Sequence, residues 1–437
     1  MFGDGYSEFM SASLRALNYV QRVIDSELDE LLAGAPAVSL EGAKGVGKSA
    51  TSAERVDAEF RLESAATRTL VEAEPSRLTD GRRVLLDEWQ HLPLTWDIVR
   101  RAVDAGATPG QFILTGSASI ADPGRHSGAG RILKLRMRPL ALSERGFAPA
   151  VSLSELLRGH RPRLLGHTSV SLRTYTHEIV ASGFPGIRDL PPRVRRAQLD
   201  SYLDRVVDRD LAELGSAVRN PAALKRWMAA YAAATSTTTT YAKIAAAATP
   251  GVREQPARST IAAYRDALER LFILDPVPGW LPSTSHLNEL AAAPKHHLAD
   301  PALAVALLGL DEDALLAGDD QGGRTFGDGP FLGTLFESLV ALSVRVYAQR
   351  AEAKVAHFRM HRGEHEVDLI VERRDGRCLA LEVKLSPVVD DHDVRHLIWL
   401  RDRLGPDVLD AAVITTGTDA YRRPDGIAVI PAALLGP

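Results

Sequence analysis

A glycine-rich segment near the amino terminus has the residue types and the spacing of a phosphate-binding loop. It fits the pattern GxxxxGKS and consists of Gly42, Ala43, Lys44, Gly45, Val46, Gly47, Lys48 and Ser49. Its glycines allow consecutive backbone N–H groups to face bound phosphates, and a helix that starts at its end adds partial positive charge. Lys48 can reach the β- and γ-phosphates of a nucleotide, and the Ser49 hydroxyl can ligate Mg²⁺. The segment therefore predicts a binding site for ATP with Mg²⁺.

Two carboxylates, Asp87 and Glu88, end the apolar run at residues 83–86. Beside a phosphate loop, an Asp at such a strand end holds Mg²⁺ through water, and a neighbouring Glu can orient the attacking water. Two acids at a strand end also occur as helix caps, so the pair taken alone leaves both interpretations open. Together with the phosphate loop, the pair predicts hydrolysis of the nucleotide, with Glu88 as the catalytic residue.

A third apolar run, residues 111–115, ends in Thr115 and is followed by Gly116 and Ser117. A polar side chain at this strand end can contact the γ-phosphate or the attacking water. A plain turn explains the same residues, and taken alone they favour the turn.

Near the carboxyl terminus, three charged residues are spaced so that one face of a hairpin can hold them. The arms of the hairpin are residues 366–371 and 379–384, and alternation places apolar side chains at the odd positions of both. A three-residue loop at 374–376 pairs positions that sum to 750, which places Asp368 opposite Glu382. The two carboxylates would then lie about 5 Å apart, with Lys384 one pleat away. This arrangement predicts a second Mg²⁺ site, with Asp368 and Glu382 as ligands and Lys384 as a stabiliser of developing charge.

The elements that would position the nucleotide site alternate between strand and helix. Apolar runs at 37–40, 83–86 and 111–115 are short and separated by helix-compatible sequence, as in a parallel sheet with crossover helices. Residues 13–33 carry apolar side chains at helical spacing and predict a helix before the first strand. The first third of the chain is therefore predicted to have an α/β fold.

The middle of the chain is predicted to be helical and to contain a winged helix. Helical segments at 240–245 and 258–268 precede the strand-like run 271–274, which is the order helix, turn, helix, strand. Side chains suited to reading DNA on the second helix are Arg258, Ser259, Thr260 and Arg265. Such modules also serve as lids or interfaces in ATPases. Residues 125–209 carry 16 basic and 7 acidic residues, which suits phosphates, an acidic neighbouring subunit or an ordinary solvated surface.

Several of these motifs together resemble a known family. The segments GAKGVGKS, LLDEWQ, ILTGSAS and GRILKLRMRPLALSE, with residues 183–186 and 202–205, are similar to bacterial and archaeal AAA-type ATPases that carry a C-terminal nuclease-like domain. The resemblance implies that Lys48 and Ser49 bind nucleotide and Mg²⁺, that Asp87 and Glu88 are the metal and water-positioning acids, and that Thr115 is the sensor. It also implies a homo-oligomer in which an arginine completes the neighbouring site. Arg131 is the first candidate for that arginine and Arg125 the second, and a solvated arginine explains either equally well.

The carboxyl-terminal hairpin resembles the Asp…Glu-x-Lys signature of the PD-(D/E)xK nuclease superfamily, which has the restriction-endonuclease-like fold. The resemblance implies that Asp368, Glu382 and Lys384 are catalytic and that Glu337, on the preceding helix, is an additional acidic residue. Some members of the superfamily have lost activity. An active nuclease and an inactive, nucleic-acid-binding or scaffolding relative therefore both remain open.

Composition and charge limit the class of protein. A hydrophobic content of 45% and a charged content of 25% exclude wholesale disorder. A net charge of −4 confines any contact with nucleic acid to a local patch, and one cysteine excludes an intramolecular disulfide. No apolar run approaches the roughly 18–20 residues of a membrane span. We therefore expect a cytoplasmic protein without membrane contact.

The predicted architecture has three parts. Residues 1–150 form a P-loop AAA-type ATPase domain, residues 151–290 a helical and winged-helix region, and residues 291–437 an α/β restriction-endonuclease-like domain. The predicted function is Mg²⁺-dependent hydrolysis of ATP, with action on or with DNA through the last domain. The alternative is a nucleotide-switched regulatory or interaction protein in which that domain is inactive. The sequence identifies no protein partner.

Overall fold

The structure of the protein, a computed structural model, describes residues 19–117, 129–213, 220–249, 257–280, 293–317, 331–360 and 364–437. The chain forms two compact units. The first extends to Arg138 and includes Arg270–Phe272, and the second comprises Pro139–Glu269 and Ile273–Pro437. The domain limits predicted at residues 150 and 290 stay predictions.

Strands and helices alternate in the first unit. Its strands are β1 (Ala37–Glu41), β2 (Ala58–Arg61), β3 (Val84–Asp87), β4 (Phe112–Gly116) and β5 (Leu133–Arg136). Its helices are α1 (Ile24–Gly34), α2 (Lys48–Ala53), α3 (Ala65–Ala73) and α4 (Leu94–Asp104), with 3-10 turns at Pro75–Leu78 and Trp89–His91.

The five strands of the first unit form one parallel sheet in the order β2-β3-β4-β1-β5. The central strands β1, β3 and β4 are buried along nearly their whole length. Burial of this kind is typical of strands covered by helices on both sides. Because the strands are parallel, their carboxyl ends meet at one edge of the sheet, where ligands bind in such folds. The predicted α/β class is confirmed.

The three strands predicted from apolar runs are confirmed, and the two strands that the sequence did not predict are the edges of the sheet. In β2, only Phe60 is buried, and in β5 only Leu135 is buried. Edge strands expose one side of their backbone and carry polar side chains, so they lack the continuous apolar run that reveals a central strand.

The helix predicted at 13–33 begins only at Ile24, and residues 1–18 lie outside the described residues. The reason is a set of polar contacts before the helix. Asp25 accepts hydrogen bonds from the Arg22 backbone N–H and from the Tyr19 hydroxyl, both at 2.7 Å. The Arg22 guanidinium donates to the Val46 carbonyl at 2.8 Å, so this segment supports the phosphate loop.

The helix predicted after the phosphate loop is also shorter than expected. It ends at Ala53, and residues 58–61 continue as strand β2. The segment after the loop, residues 50–60, is helix-compatible in sequence, but only its first part is helical. The chain instead crosses to the far edge of the sheet and pairs with β3.

The second unit begins with helices and ends with a large sheet. Its helices are α5 (Leu153–Leu157), α6 (Leu172–Ala181), α7 (Pro185–Arg188), α8 (Pro192–Arg205), α9 (Leu211–Glu213), α10 (Pro221–Ala233), α11 (Tyr241–Ala247), α12 (Arg258–Arg270), α13 (Pro301–Leu307), α14 (Glu312–Ala317), α15 (Phe331–Arg350) and α16 (Asp391–Leu404). A π-helical turn at Val206–Asp210 joins α8 to α9, and 3-10 turns cover Leu142–Glu144, Gly405–Asp407 and Ala432–Leu434. Its strands are β6 (Val151–Ser152), β7 (Gly166–His167), β8 (Lys354–Arg359), β9 (Glu366–Glu372), β10 (Cys378–Lys384), β11 (Val408–Thr415), β12 (Asp419–Arg422), β13 (Ala428–Pro431) and β14 (Leu435–Gly436).

A buried ion cluster holds the helical part of the second unit together. The fully buried Arg145 guanidinium lies 3.3 Å from Glu178 and 3.7 Å from Asp300. Asp300 also accepts from the Gly183 backbone N–H at 2.7 Å, and a side chain at Gly183 would collide with Arg145 and Asp300. Burial lowers the pKa of Arg145 and raises the pKa of Asp300, while each charge opposes the shift of the other. Gly183 lies in the segment 183–186 quoted above, and the close approach of Arg145 and Asp300 explains why this position is a glycine.

The helices predicted for the winged helix are confirmed as α11 and α12. After them, Leu274 and Val277 form antiparallel bridges with Leu298 and Lys295. The predicted strand at 271–274 contributes a bridge at Leu274 in place of a continuous ladder. Residues 281–292, between the two arms, lie outside the described residues, and the winged-helix assignment stays a prediction.

The large sheet of the second unit has seven strands in the order β7-β12-β13-β11-β10-β9-β8. Pairing between β8, β9 and β10 is antiparallel, and pairing of β11 with β10 and with β13 is parallel. From residue 331 the chain runs in the order helix, three strands, helix and strand, which are α15, β8 to β10, α16 and β11. Helices α15 and α16 both contact this sheet.

One helix among the described residues, α15, is long and apolar enough to cross a membrane by length and composition. This differs from the expectation that no apolar run approaches that length. Most of α15 is buried within the protein, including Leu335, Phe336 and Leu339. Its apolar character is therefore explained by its position against the sheet.

Candidate functional site

The phosphate loop has the backbone shape that its glycines permit. Gly45 and Gly47 have φ angles of 80° and 105°, a region that favours glycine. A side chain at Gly42 would collide with the Met137 carbonyl, so the loop lies directly against the chain that follows β5. The loop joins the end of β1 to the start of α2, as the sequence predicts.

Lys48 is buried within the loop and bonds to the loop itself. Its Nζ donates to the carbonyl oxygens of Gly42 and Ala43 at 2.8 and 2.9 Å. Burial lowers the pKa of Lys48 to about 8, although the nearby Glu88 and Asp87 act in the opposite direction. Two neutral carbonyl oxygens do not neutralise the charge of the buried Lys48 ammonium. Lys48 is therefore suited to bind negatively charged phosphate oxygens.

Ser49 and Asp87 meet at the carboxyl ends of β1 and β3. The Ser49 hydroxyl donates to Asp87 Oδ1 at 2.7 Å. The Thr115 hydroxyl, at the end of β4, also donates to Asp87 Oδ1 and accepts from the Glu88 backbone N–H at 3.2 Å. A hydroxyl beside a carboxylate is the hard-oxygen donor set that Mg²⁺ prefers, so these residues fit that ion.

Glu88 is held by two side chains that sequence reasoning did not assign. Its backbone has a φ of 51°, and its carboxylate accepts from Ser117 Oγ at 2.8 Å and from the Gln90 amide. Gln90 and Ser117 also lie 3.2 Å apart. Both residues are part of segments quoted above for the resemblance, LLDEWQ and ILTGSAS, so the signal was present beside the residues that were chosen.

The two arginines considered for completing a neighbouring site differ in what the structure describes. Arg131 is exposed and its Nε donates to Asp104 Oδ1, at the end of α4, at 2.6 Å. Arg125 lies outside the described residues. The assignment of Arg131 stays a prediction.

The hairpin of the second unit has the predicted register. Leu379 pairs with Val371 and Leu381 with Leu369, so each pair sums to 750. The odd positions of both arms are buried, as predicted. Asp368 and Glu382 are also nearly buried, at 9% and 6% exposed, which differs from a solvated charged face.

The predicted acidic residues of the second unit meet around a lysine that sequence reasoning missed. Lys295 Nζ lies 2.9 Å from Glu337 Oε1, 2.7 Å from Asp368 Oδ1 and 3.2 Å from Glu366 Oε1. Lys384 Nζ lies 2.8 Å from Glu382 Oε1. Burial raises the pKa of Glu337, whereas Lys295 holds the pKa of Asp368 below its usual range despite burial.

The side chains proposed to read DNA from α12 are not equivalent. Arg258 and Ser259 are exposed at its start, and Thr260 is half-buried. The Arg265 guanidinium bonds to Asp266 at 2.9 Å and lies 5.2 Å from the centre of the Tyr241 ring. Arg265 is therefore engaged within the protein in this structure.

Comparison with known proteins gives three family matches. Residues 34–145 match an AAA domain, residues 172–314 match the domain of unknown function DUF8612, and residues 332–435 match the domain of unknown function DUF4143. The chain carries an AAA-type P-loop ATPase domain.

Two mycobacterial proteins that are named as uncharacterised are similar to this chain. One is from Mycobacterium tuberculosis and one from Mycobacterium bovis, and each is 25% identical over 382 residues, covering 86% of this chain and 76% of the relative. Among solved structures, a Walker-type ATPase of Pyrococcus abyssi aligns with a TM-score of 0.36 and 16% identity, over 66% of this chain and 96% of that one.

Proposed function

We propose that the first unit binds ATP with Mg²⁺ and hydrolyses it. The observation that carries the proposal is that Ser49, at the start of α2, and Thr115, at the end of β4, both donate hydrogen bonds to Asp87 at the end of β3, beside the phosphate loop. Mg²⁺ held there would offset the negative charge of the phosphates. Ser49 and Asp87 are the residues that would hold it.

The remaining residues have separate roles in this proposal. Lys48 exchanges its two carbonyl partners for phosphate oxygens when the nucleotide enters, which places its charge beside the phosphates. Glu88 orients the attacking water, and Ser117 with Gln90 fixes the direction of its carboxylate. Thr115 bonds to both the Asp87 carboxylate and the Glu88 backbone N–H. It therefore fixes the position of the metal-binding Asp87 relative to the water-orienting Glu88.

The experiment that tests this proposal measures nucleotide binding and steady-state ATP turnover in two variants. Lys48→Ala is expected to lose binding, and Glu88→Gln to keep binding while losing turnover. Lys225→Ala, an exposed lysine paired with Asp204, is the matched control and is expected to behave as the wild type. Normal turnover in both site variants would reject the assignment.

For the second unit, we propose a restriction-endonuclease-like domain that meets DNA in the cytoplasm. Support comes from the order of α15, β8, β9, β10 and α16, and from the register that brings Asp368 near Glu382. Stimulation of ATP turnover by DNA in the full chain is the test. An unchanged rate with single- and double-stranded DNA would favour a nucleotide-switched interaction protein.

The position of Lys295 favours an inactive form of this domain. In a metal-dependent nuclease the acidic residues are needed for the metal ion. Here Glu337 and Asp368 instead bond to a buried ammonium. Mg²⁺-dependent cleavage of DNA by the wild type, lost in Asp368→Ala and in Lys384→Ala, would establish the active form.

A further inference from the structure

We propose that the Lys295 ammonium stands where a restriction-endonuclease-like site would hold its divalent metal ion, so that this chain has a built-in cation there and takes up no metal. The inference rests on the restriction-endonuclease-like assignment proposed above. It concerns the ligand of that site, which neither the family matches nor the relatives assign.

The carboxylate oxygens of the site do not fit a metal ion as they stand. An ammonium has three N–H donors. Lys295 donates hydrogen bonds to Glu337 and Asp368, and its Nζ forms an ion pair with Glu366 Oε1 at 3.2 Å. The second oxygen of Asp368 accepts from the Val383 backbone N–H at 2.9 Å. Both oxygens of Asp368, the central predicted ligand, are therefore in use.

The carboxylates around the site already have cationic partners. Glu366 also lies 3.3 Å from the Arg359 guanidinium, and Glu382 lies 2.8 Å from Lys384. Each of the four carboxylates thus has a cationic partner among Lys295, Arg359 and Lys384. A divalent ion would have to displace the Lys295 ammonium, which is only 2% exposed. The ammonium would then remain buried without carboxylate partners, which is strongly unfavourable.

The backbone delivers Lys295 to this position. Lys295 exchanges two backbone hydrogen bonds with Val277, at 2.9 and 3.0 Å. The chain after Val277 is bonded in turn to β8, through His357 to Pro278 at 2.9 Å and Trp280 to His357 at 2.6 Å. Lys295 is therefore anchored at both its main chain and its side chain, and the ammonium cross-links this pair of segments to α15 and β9.

Removal of the ammonium would leave a set of ligands behind. Glu382 is nearly buried, and among the described residues its Oε2 has no hydrogen-bond partner. Together with Glu337 and Asp368 it would offer oxygens of the kind that Mn²⁺ and Mg²⁺ prefer. A divalent site should therefore appear when Lys295 is shortened.

The test measures Mn²⁺ binding to the full chain without nucleotide. Bound Mn²⁺ is detected as a loss of the free Mn²⁺ signal in electron paramagnetic resonance. The proteins are the wild type, Asp368→Asn, Lys295→Ala, Lys295→Ala with Asp368→Asn, and the exposed-lysine control Lys354→Ala. We expect binding at least about tenfold tighter in Lys295→Ala than in the wild type or the control, and its loss in the double variant. Thermal melting with and without Mn²⁺ is measured on each protein.

Mn²⁺ binding by the wild type and by Lys295→Ala decides whether the proposal is correct. Wild-type Mn²⁺ binding that disappears in Asp368→Asn would overturn it, as would a folded Lys295→Ala variant that binds no Mn²⁺. If Lys295→Ala folds only in the presence of Mn²⁺, the proposal is supported, and if it does not fold at all, the wild-type measurement alone decides. ATP turnover of the same proteins tests the first unit separately. Mn²⁺ binding by Lys295→Ala without any DNA cleavage would support the inference and reject nuclease chemistry.

Discussion

Ser117 and Glu88 are joined by a hydrogen bond at the nucleotide site, in which Ser117 Oγ donates to Glu88 Oε2 at 2.8 Å. The same carboxylate oxygen accepts from the Gln90 amide. Glu88 is therefore fixed by groups from two different strand ends, since Ser117 follows β4 and Gln90 follows β3. The direction of the Glu88 carboxylate depends on both.

Removal of this hydrogen bond is expected to slow hydrolysis without weakening nucleotide binding. Small losses of alignment at a reacting group cost between about 10-fold and 100-fold in rate. Ser117→Ala should lower kcat in that range and leave the nucleotide Kd unchanged, with Ser76→Ala, an exposed serine, as the control. An equal loss of binding and turnover would show that Ser117 contacts the nucleotide instead.

Arg131 is expected to act on a neighbouring subunit. In this structure its Nε donates to Asp104 of the same chain at 2.6 Å, and both side chains are exposed. Arginines that act in this way contribute about 10³-fold or more to turnover. Arg131→Ala should be slow alone and partly restored by mixing with Lys48→Ala protein. Arg77→Ala, which removes an exposed arginine paired with Glu74, serves as the control. A rate independent of protein concentration, with no restoration on mixing, contradicts this.

The buried Arg145 is expected to be essential for the stability of the second unit. Its removal leaves Asp300 buried without its cationic partner, while Glu178 keeps Arg188. Breaking a buried pair costs about 3–5 kcal/mol. Arg145→Met should lower the free energy of unfolding by that amount in urea titrations. Arg158→Met removes an exposed pair with Glu155 and should cost under about 1 kcal/mol. Similar values for the two variants would show that the cluster is not stabilising.

His357 is expected to make stability depend on pH. Burial lowers its pKa from 6.5 to about 4, and its Nε2 contacts the Ala293 carbonyl. Between pH 6.5 and about pH 4, His357 therefore binds a proton in the unfolded chain but not in the folded chain. Its contribution to the free energy of unfolding is fully present above pH 6.5 and is lost as the pH decreases through this range.

A comparison with His357→Gln isolates this effect, because glutamine keeps a donor for the carbonyl and does not titrate. Between about pH 7.5 and about pH 4.5, the wild type should lose roughly 2 kcal/mol more unfolding free energy than the variant. Urea unfolding at both pH values measures the difference. Parallel pH profiles of the two proteins would contradict the assignment.

The nucleotide site could be predicted from the sequence because its residues lie within short segments at strand ends. Gly42 to Ser49 are contiguous, and Asp87 and Thr115 each end an apolar run that is buried in the folded protein. The hairpin register could be predicted as well, since parity allows only even sums when one face is apolar. In both cases, local spacing determines the geometry.

Lys295 could not be predicted in this way. It lies 73 residues before Asp368 along the chain, and its neighbours His296 and His297 give no periodic pattern that marks a charged site. Its place among the carboxylates depends on backbone pairing with Val277 and on the position of α15. Both are features of the tertiary structure that local sequence does not reveal. The edge strands β2 and β5 were missed for a related reason, because their partners rather than their own composition make them strands.

The pairing of β14 with β6 has a consequence for synthesis on the ribosome. Leu435 pairs with Val151, and Ser152 Oγ donates to the Pro437 carbonyl at 2.6 Å, across a separation of 285 residues. At about 5–20 residues per second, β6 waits on the order of 15–60 s for its partner to be translated. During that interval the early helices of the second unit emerge with an unsatisfied strand edge, which is the form of the nascent chain that chaperones would meet.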